Sequence, residues 1–391
     1  MATVTVRQAG GADYTSIKTA VEDFSRLDGD IINILDEATY TENNIEISNT
    51  NLTIQHTASE LGRPVIDADG AFRVFNFTNT SRRCTFIGLE MSLEGGQDTF
   101  FQRGNLFHIS GCFLHGRPTL SDVVIDNTTG TPSTIKQSTI FFDGTGYEPS
   151  NRIQAENGLE IENCLITSSV SDGALLYGYS STTVPPTASF STFIKRGGNG
   201  SPVILTNWGM VINCIVSGSG RGIQALDANH SYNLVDVSGD SFRVYNSSTP
   251  EAAGTGDIEA TPSFVDGTAM GSTPEVAANF ALAEGSRGID EGTAFNSITV
   301  DITGTLRPQN GSYDIGAFEF ISEDPTWTDG DGTQTYSKRY GADSFIIHKT
   351  ANSLATRTFA YSTDNRQAPY FLSIPGPASI RERSGSYKAE T

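Results

Sequence analysis

A short apolar phrase recurs along the middle of this chain, and it restricts the fold more than any other feature. Its copies are Cys84-Thr-Phe-Ile-Gly-Leu, Cys112-Phe-Leu-His, Thr139-Ile-Phe-Phe-Asp-Gly, Cys164-Leu-Ile-Thr, Phe190-Ser-Thr-Phe-Ile and Cys214-Ile-Val-Ser. Their first residues are 28, 27, 25, 26 and 24 positions apart. Each phrase is too short to bury its own apolar face, so the copies must stack, and such a period marks a repeat architecture. No amphipathic 3.6-residue pattern lies between the copies, which argues against helical repeats and for a β-solenoid.

Charge narrows the partners. Of 45 acidic and 25 basic residues, 8 and 8 fall in 321–391, leaving 37 and 17 in residues 1–320. The net charge of −20 therefore sits wholly in the body. A surface of that sign disfavours nucleic acid and anionic membranes. No run of 18 apolar residues suggests a membrane span. The first residues, Met1-Ala-Thr-Val-Thr-Val, do not read as a signal peptide.

All four Cys fall on the ladder at equivalent-looking points. With coils stacked about 4.8 Å apart, Cys112, Cys164 and Cys214 lie two coils from one another, too far for a disulfide. Only Cys84 and Cys112 could be adjacent. The expectation is stacked free thiols in the core. Without a Cys/His cluster, neither metal nor cofactor is expected.

Residues 1–30 read as an alternating strand and one short helix. Ile17, Ala20, Val21 and Phe24 form its apolar stripe, with Thr15 or Ser16 as N-cap. Such a helix suits the exposed end of a solenoid. Together with Gly29-Asp-Ile-Ile-Asn-Ile-Leu, Asn51-Leu-Thr-Ile-Gln and Pro64-Val-Ile-Asp, this opening resembles right-handed parallel β-helices of the pectate-lyase-like superfamily. Thr261-Pro-Ser-Phe-Val-Asp-Gly, Phe280 to Thr293 and Asp301 to Phe320 resemble the final coils of bacterial β-helix repeat proteins. Arg287-Gly288 departs from their usual Pro-Ala. The resemblance implies an all-β, right-handed parallel β-helix over 31–320, capped by the N-terminal helix. A C-terminal β-rich extension follows over 321–391. Asp290, Asp301, Arg307, Asp314 and Glu319 are expected to form a structural charge network closing the C-terminal coil.

The superfamily also contains polysaccharide lyases and hydrolases, so the resemblance makes catalytic groups an expectation to weigh. A lyase needs a base and cations for an enolate-like transition state. Lys195 and Arg196 precede Arg221 by 26 and 25 residues, near one coil, so they could share a face beside His230. A glycosidase needs two carboxylates roughly 5–10 Å apart, and Asp143, Glu160 and Asp172 are weak candidates. His56, and His115 with Arg117, read as surface or loop residues. Asp329-Gly-Asp-Gly lacks the ligands of a calcium loop and reads as a turn.

In 321–391, strands are expected at Ser344–His348, Thr358–Tyr361 and Tyr370–Ile374. Three short strands bury too little to order 71 residues, so a neighbouring subunit is expected to help. Together these features suggest a bacteriophage virion protein made in the host cytoplasm: a capsid decoration, tail spike or fibre component. Residues 321–391 would contact trimer mates or other virion proteins, and a cell-surface glycan is a possible ligand. The rival reading is an extracellular or tail-spike polysaccharide lyase or glycosidase.

Overall fold

The computed structural model describes residues 2–24, 29–48, 51–56, 62–68, 74–77, 83–94, 106–117, 123–125, 133–142, 153–155, 158–169, 173–178, 186–197, 201–206, 209–225, 229–244, 249–267, 278–309 and 311–321. It also describes the strands within 327–390. The chain divides into two units, Met1–Phe320 and Ile321–Thr391.

The first unit is a parallel β-helix. Two ten-stranded sheets run along it, one from Thr3–Val6 to His230–Ser231 and the other from Thr39–Thr41 to Ile258–Glu259. A third, six-stranded sheet runs from Val123–Ile125 to Phe242–Val244. Neighbouring strands within each pair in parallel. Strand alternation sends one row of side chains inward from each coil. In the first sheet that row runs Ile54, Phe86, Ile109, Ile135, Ile161, Ala188 and Val211, all buried. The repeats fold this way because each coil's apolar row becomes dry only when the next coil lies on it.

The helix Ile17–Phe24 closes the N-terminal end, with Ile17, Ala20 and Val21 fully buried. Ser16 is the cap, its Oγ accepting from Thr19 N at 3.1 Å. The Glu42 carboxylate accepts from Ile17 N (3.2 Å) and Lys18 N (2.7 Å), placing a negative charge at the helix N-terminus.

At the bend between the first and second sheets, seven coils place one residue in the left-handed region: Gly88, Gly111, Gln137, Asn163, Phe190, Asn213 and Tyr232. The next residue in each coil points inward: Leu89, Cys112, Ser138, Cys164, Ser191, Cys214 and Asn233, all buried. Cysteine and serine alternate here because they do one job. Cys112 N donates to Ser138 Oγ and Cys164 N to Ser191 Oγ, each at 3.1 Å, and Cys214 N donates to Asn233 Oδ1 at 2.9 Å. Cys84 is not in this row. It lies within the strand Arg83–Ile87, in register with Leu52 and Phe107. The apparent equivalence of all four cysteines thus holds for three. All four are free.

The last parallel strand is Ile258–Glu259. Residues 260–320 were expected as further coils, but their described parts, 260–267, 278–309 and 311–320, form a strap with isolated antiparallel bridges such as Phe264↔Leu282 and Val300↔Leu306. Its Phe280, Ala281, Ala317 and Phe318 cover Leu165 and Ile194 on the outside of the second sheet. Leu282, Ile315 and Phe320 cover Ile215 and Leu234. Those outward positions are apolar, so they need a cover, and the frequent turns of the strap let it follow them.

The second unit is antiparallel. A five-stranded sheet orders Trp327–Asp329, Gly332–Lys338, Phe345–His348, Ser379–Arg383 and Ser386–Glu390, and a separate hairpin pairs Arg357–Tyr361 with Tyr370–Ile374. Four of these seven strands lie outside the three expected ones. Asp329 and Gly332 pair between antiparallel strands, and Gly330 and Asp331, at the centre of the turn expected for Asp-Gly-Asp-Gly, lie outside the described residues.

Candidate functional site

The structure separates the residues proposed for lyase chemistry. Lys195 is in the second sheet, in register with Ser168 and Gly218. It occupies the inward row at 0% exposure, its Nζ donating to Ser201 O at 3.0 Å. Gly218 has φ 135°, and a Cβ there would lie 1.8 Å from Lys195 O, so only glycine fits beneath it. Arg221 is in the third sheet opposite Pro202, and His230 is on the last strand of the first. The three do not share a face, because one coil here is 23 residues, from Lys195 to Gly218, and not 26.

Asp143 and Asp172 lie outside the described residues. Glu160 is half-buried on the first sheet, in register with Thr134 and Thr187. His56 and His115 are buried in strands, which corrects their assignment to the surface. His56 Nδ1 lies 2.9 Å from Ile34 O, and the His115 ring lies 5.6 Å from that of Phe141. Arg117 ends the strand Phe113–Arg117.

The charged residues near the C-terminus of the first unit form a knot within the strap. Arg307 is buried over the Phe190 ring (4.7 Å), pairs with Glu319 Oε2 at 3.0 Å, and donates to the carbonyls of Asp314 and Gly316. Asp301 Oδ1 accepts from Thr303 N, Thr303 Oγ1 and Thr305 N, each at 2.8 Å, and its Oδ2 accepts from Glu319 N. Asp314 accepts from the backbone of Asp290 and Phe320. Asp290 contributes its N–H from a left-handed backbone (φ 59°). Burial pushes the Asp314 carboxyl up to about 6 and that of Glu319 up to about 7, and lowers Arg307 from its ordinary value. These groups spend their hydrogen bonds on the strap's own turns, so the knot holds backbone in place and presents no reacting atom. It lies against the side of the β-helix.

Sequence reasoning missed one cluster. His230 ends the inward row of the first sheet, stacked on Phe242 (4.6 Å between rings, 8° between planes). Its Nδ1 lies 2.5 Å from Asp257 Oδ2, and its Nε2 lies 3.8 Å from Glu251 Oε2. Asp257 also accepts from Asn233 N (2.8 Å), Asn233 Nδ2 (3.0 Å) and Gly254 N (2.8 Å). An Asp-oriented imidazole is the arrangement of a general base. Here the His230 side chain is 0% exposed, so no substrate reaches it, and the cluster closes the last coil. Glu251 follows the bridge residue Pro250 and Asp257 follows a turn, with no periodic signal to mark them.

The open chemistry lies on the outer face of the first sheet, away from the strap. Thr53, Thr85, His108, Thr134, Glu160 and Thr187 form one row, each partly exposed. Beside it, Lys136 pairs with Glu162 at 3.1 Å, and Arg83 is exposed. Burial first, then the Arg83 and Lys136 charges, hold His108 below its ordinary range. His108 Nδ1 lies 2.9 Å from Thr134 Oγ1. This flat polar row can hydrogen-bond an extended ligand laid across successive coils. Among the described residues no group of three or more His, Cys, Asp or Glu is arranged to hold a metal ion. No described helix is long and apolar enough to cross a membrane.

No protein-family model matches the chain, and no curated protein matches it. Solved structures similar to it include the pectate lyase Pel9A, at 12% identity and a TM-score of 0.48, covering 82% of this chain and 97% of that one. A pectin methylesterase from Aspergillus niger shares 14% identity at a TM-score of 0.37, covering 71% and 93%. ORF18 of Geobacillus virus E2 shares 13% identity at a TM-score of 0.33, covering 100% and 78%. These overlaps are loose, and the functional reading rests on this chain's own residues.

Proposed function

We propose that this chain is a virion structural protein of a bacteriophage, a capsid decoration or tail component. Its β-helix is displayed outward for surface binding, and residues 321–391 serve attachment. One observation carries the binding role over a catalytic one. The buried ionisable side chains of Lys195, His230, Asp257, Asp301, Arg307, Asp314 and Glu319 are each engaged in holding backbone or closing a coil. Among the described residues, the outer face of the first sheet carries an open polar row suited to binding. The charge division supports a bipartite role, with a body carrying −20 joined to a neutral 71-residue unit. The test has two arms. Antibody against the body should decorate particles in electron micrographs, and the purified chain should bind but not cleave acidic or neutral bacterial glycans. Cleavage of either class of glycan would overturn the binding reading in favour of an enzyme, and unlabelled particles would remove the virion assignment.

A further inference from the structure

Charge is unevenly placed on the outer face of the first sheet. Register puts Thr53, Thr85, His108, Thr134, Glu160 and Thr187 in one column, successive members about 4.8 Å apart. Arg83 stands two residues to one side of Thr85, and Lys136 two residues to the other side of Thr134. Arg83, His108 and Lys136 therefore lie on a slanted line across three coils. Each is about 8 Å from the next, one strand spacing across and two residue rises along. Burial first, and then the charges of Arg83 and Lys136, hold His108 below its ordinary range, so both cations bear on the same place.

Lys136 already meets Glu162 at 3.1 Å, yet its side chain stays 37% exposed. Arg83 is exposed, and its guanidinium makes no hydrogen bond or ion pair among the described residues. In a body carrying −20, an open guanidinium beside a second basic group is a local excess of positive charge. Its planar fork suits a carboxylate.

The column also limits how much negative charge a ligand can bring. Glu160 stands two coils beyond His108, about 10 Å away, half-buried and without an ion pair among the described residues. A dense polyanion laid along the column would set an anionic group against Glu160 and against the field of the body. Neutral sugars offer hydroxyls instead, and Thr134, Glu160 and Thr187 can accept from them.

We infer that Arg83, beside His108 and Lys136, holds the carboxylate of one acidic sugar, and that neutral sugars joined to it run over Thr134 and Glu160. The ligand class is an oligosaccharide of sparse negative charge. This rests on the reading of the polar row as a binding surface and is independent of the virion assignment.

Ligand-observed NMR titration of the full chain tests it with three trisaccharides: sialyllactose, with one acidic sugar and two neutral ones, maltotriose, with none acidic, and trigalacturonate, with all acidic. Sialyllactose should bind at least about tenfold more tightly than either of the others. Arg83→Gln should abolish that advantage, the scale expected for a lost charge-assisted bond. Lys18→Gln, which removes a cation from the N-terminal helix, should leave it unchanged. Glu160→Gln should strengthen trigalacturonate binding and narrow the gap. In case Arg83→Gln perturbs the fold, sialyllactose should also shift the His108 ring signal of wild type, assigned by its loss in His108→Gln. Equal affinity for the three, a preference for trigalacturonate or maltotriose, an unmoved His108 signal or indifference to Arg83→Gln overturns the inference and leaves the row a binding surface. Binding of none of the three removes the binding reading and the inference with it.

Discussion

Asn213 and Thr293 exchange two hydrogen bonds across 80 residues of chain: Asn213 Nδ2 donates to Thr293 O at 2.8 Å, and Thr293 N donates to Asn213 Oδ1 at 2.9 Å. The same row of left-handed residues grips the strap elsewhere. Asn163 Nδ2 donates to Val300 O (2.7 Å), Gln137 Nε2 donates to Asp301 O (3.2 Å), and Phe190 lies under Arg307. The bend that turns each coil is therefore also the rail on which 260–320 is mounted. An amide suits both tasks, since Asn tolerates the left-handed backbone and its side chain mimics a peptide edge.

Asn213→Ala should loosen the strap. It removes both bonds, strips Thr293 of its partner and places alanine at φ 54°. A loss of about 2–4 kcal/mol is expected from the unpaired groups and the backbone strain. Asn213→Gly keeps the backbone permissive and should lose less. Urea midpoints of wild type and both variants separate the two parts, and an Asn213→Gly midpoint equal to that of wild type would show that the amide does not anchor the strap.

The Arg307 knot should be intolerant of half-removal. Arg307→Met leaves Glu319 buried without its cation and is expected to cost about 3–5 kcal/mol, whereas adding Glu319→Gln should recover part of this. Differential scanning calorimetry of the single and double variants reads the coupling.

The knot also makes stability fall with rising pH. Burial raises Asp314 to about 6 and Glu319 to about 7, so in acid the folded chain holds protons that the unfolded chain has released. The stability they contribute is complete below the ordinary carboxyl range and is lost as pH rises to about 7. Urea unfolding between pH 4 and pH 8 should show this negative slope, and Glu319→Gln should flatten it. A slope unchanged in that variant would remove Glu319 as its source.

The thiols should be inert while the chain is folded. All four are buried, and burial pushes Cys112 up to about 11 and Cys164 and Cys214 up to about 12. A thiol-reactive chromophore should label none of them until denaturant is added. Cys164→Ser should be mild, because Ser138 and Ser191 fill neighbouring rungs and Cys164 Sγ already lies 3.2 Å from Glu162 O.

Gly218→Ala should be among the most damaging single changes. The added methyl meets Lys195 O at 1.8 Å on a backbone of φ 135°. The expected loss is about 3 kcal/mol or more, seen as a lowered Tm or as insoluble chain on expression.

The sequence by itself determined the parallel β-helix, its N-terminal helix and the break after Phe320. Each depends on local periodicity: stacked apolar phrases, the stripe of Ile17, Ala20 and Val21, and the end of that pattern. Register belonged to the tertiary structure, because the coils differ in length. From Leu89 to Asn233 the inward row advances by 23, 26, 26, 27, 23 and 19 residues, so equal spacing in sequence is not equal height in space. That drift moved Cys84 out of the thiol row and carried Arg221 around the corner from Lys195. Only the folded chain could bring Thr293 to Asn213, or Asp257 and Glu251 to His230, since such contacts are chosen by which outward apolar strip the strap must cover. The coil pattern is written in short-range alternation, while the strap and the buried charges follow from burial across distant segments.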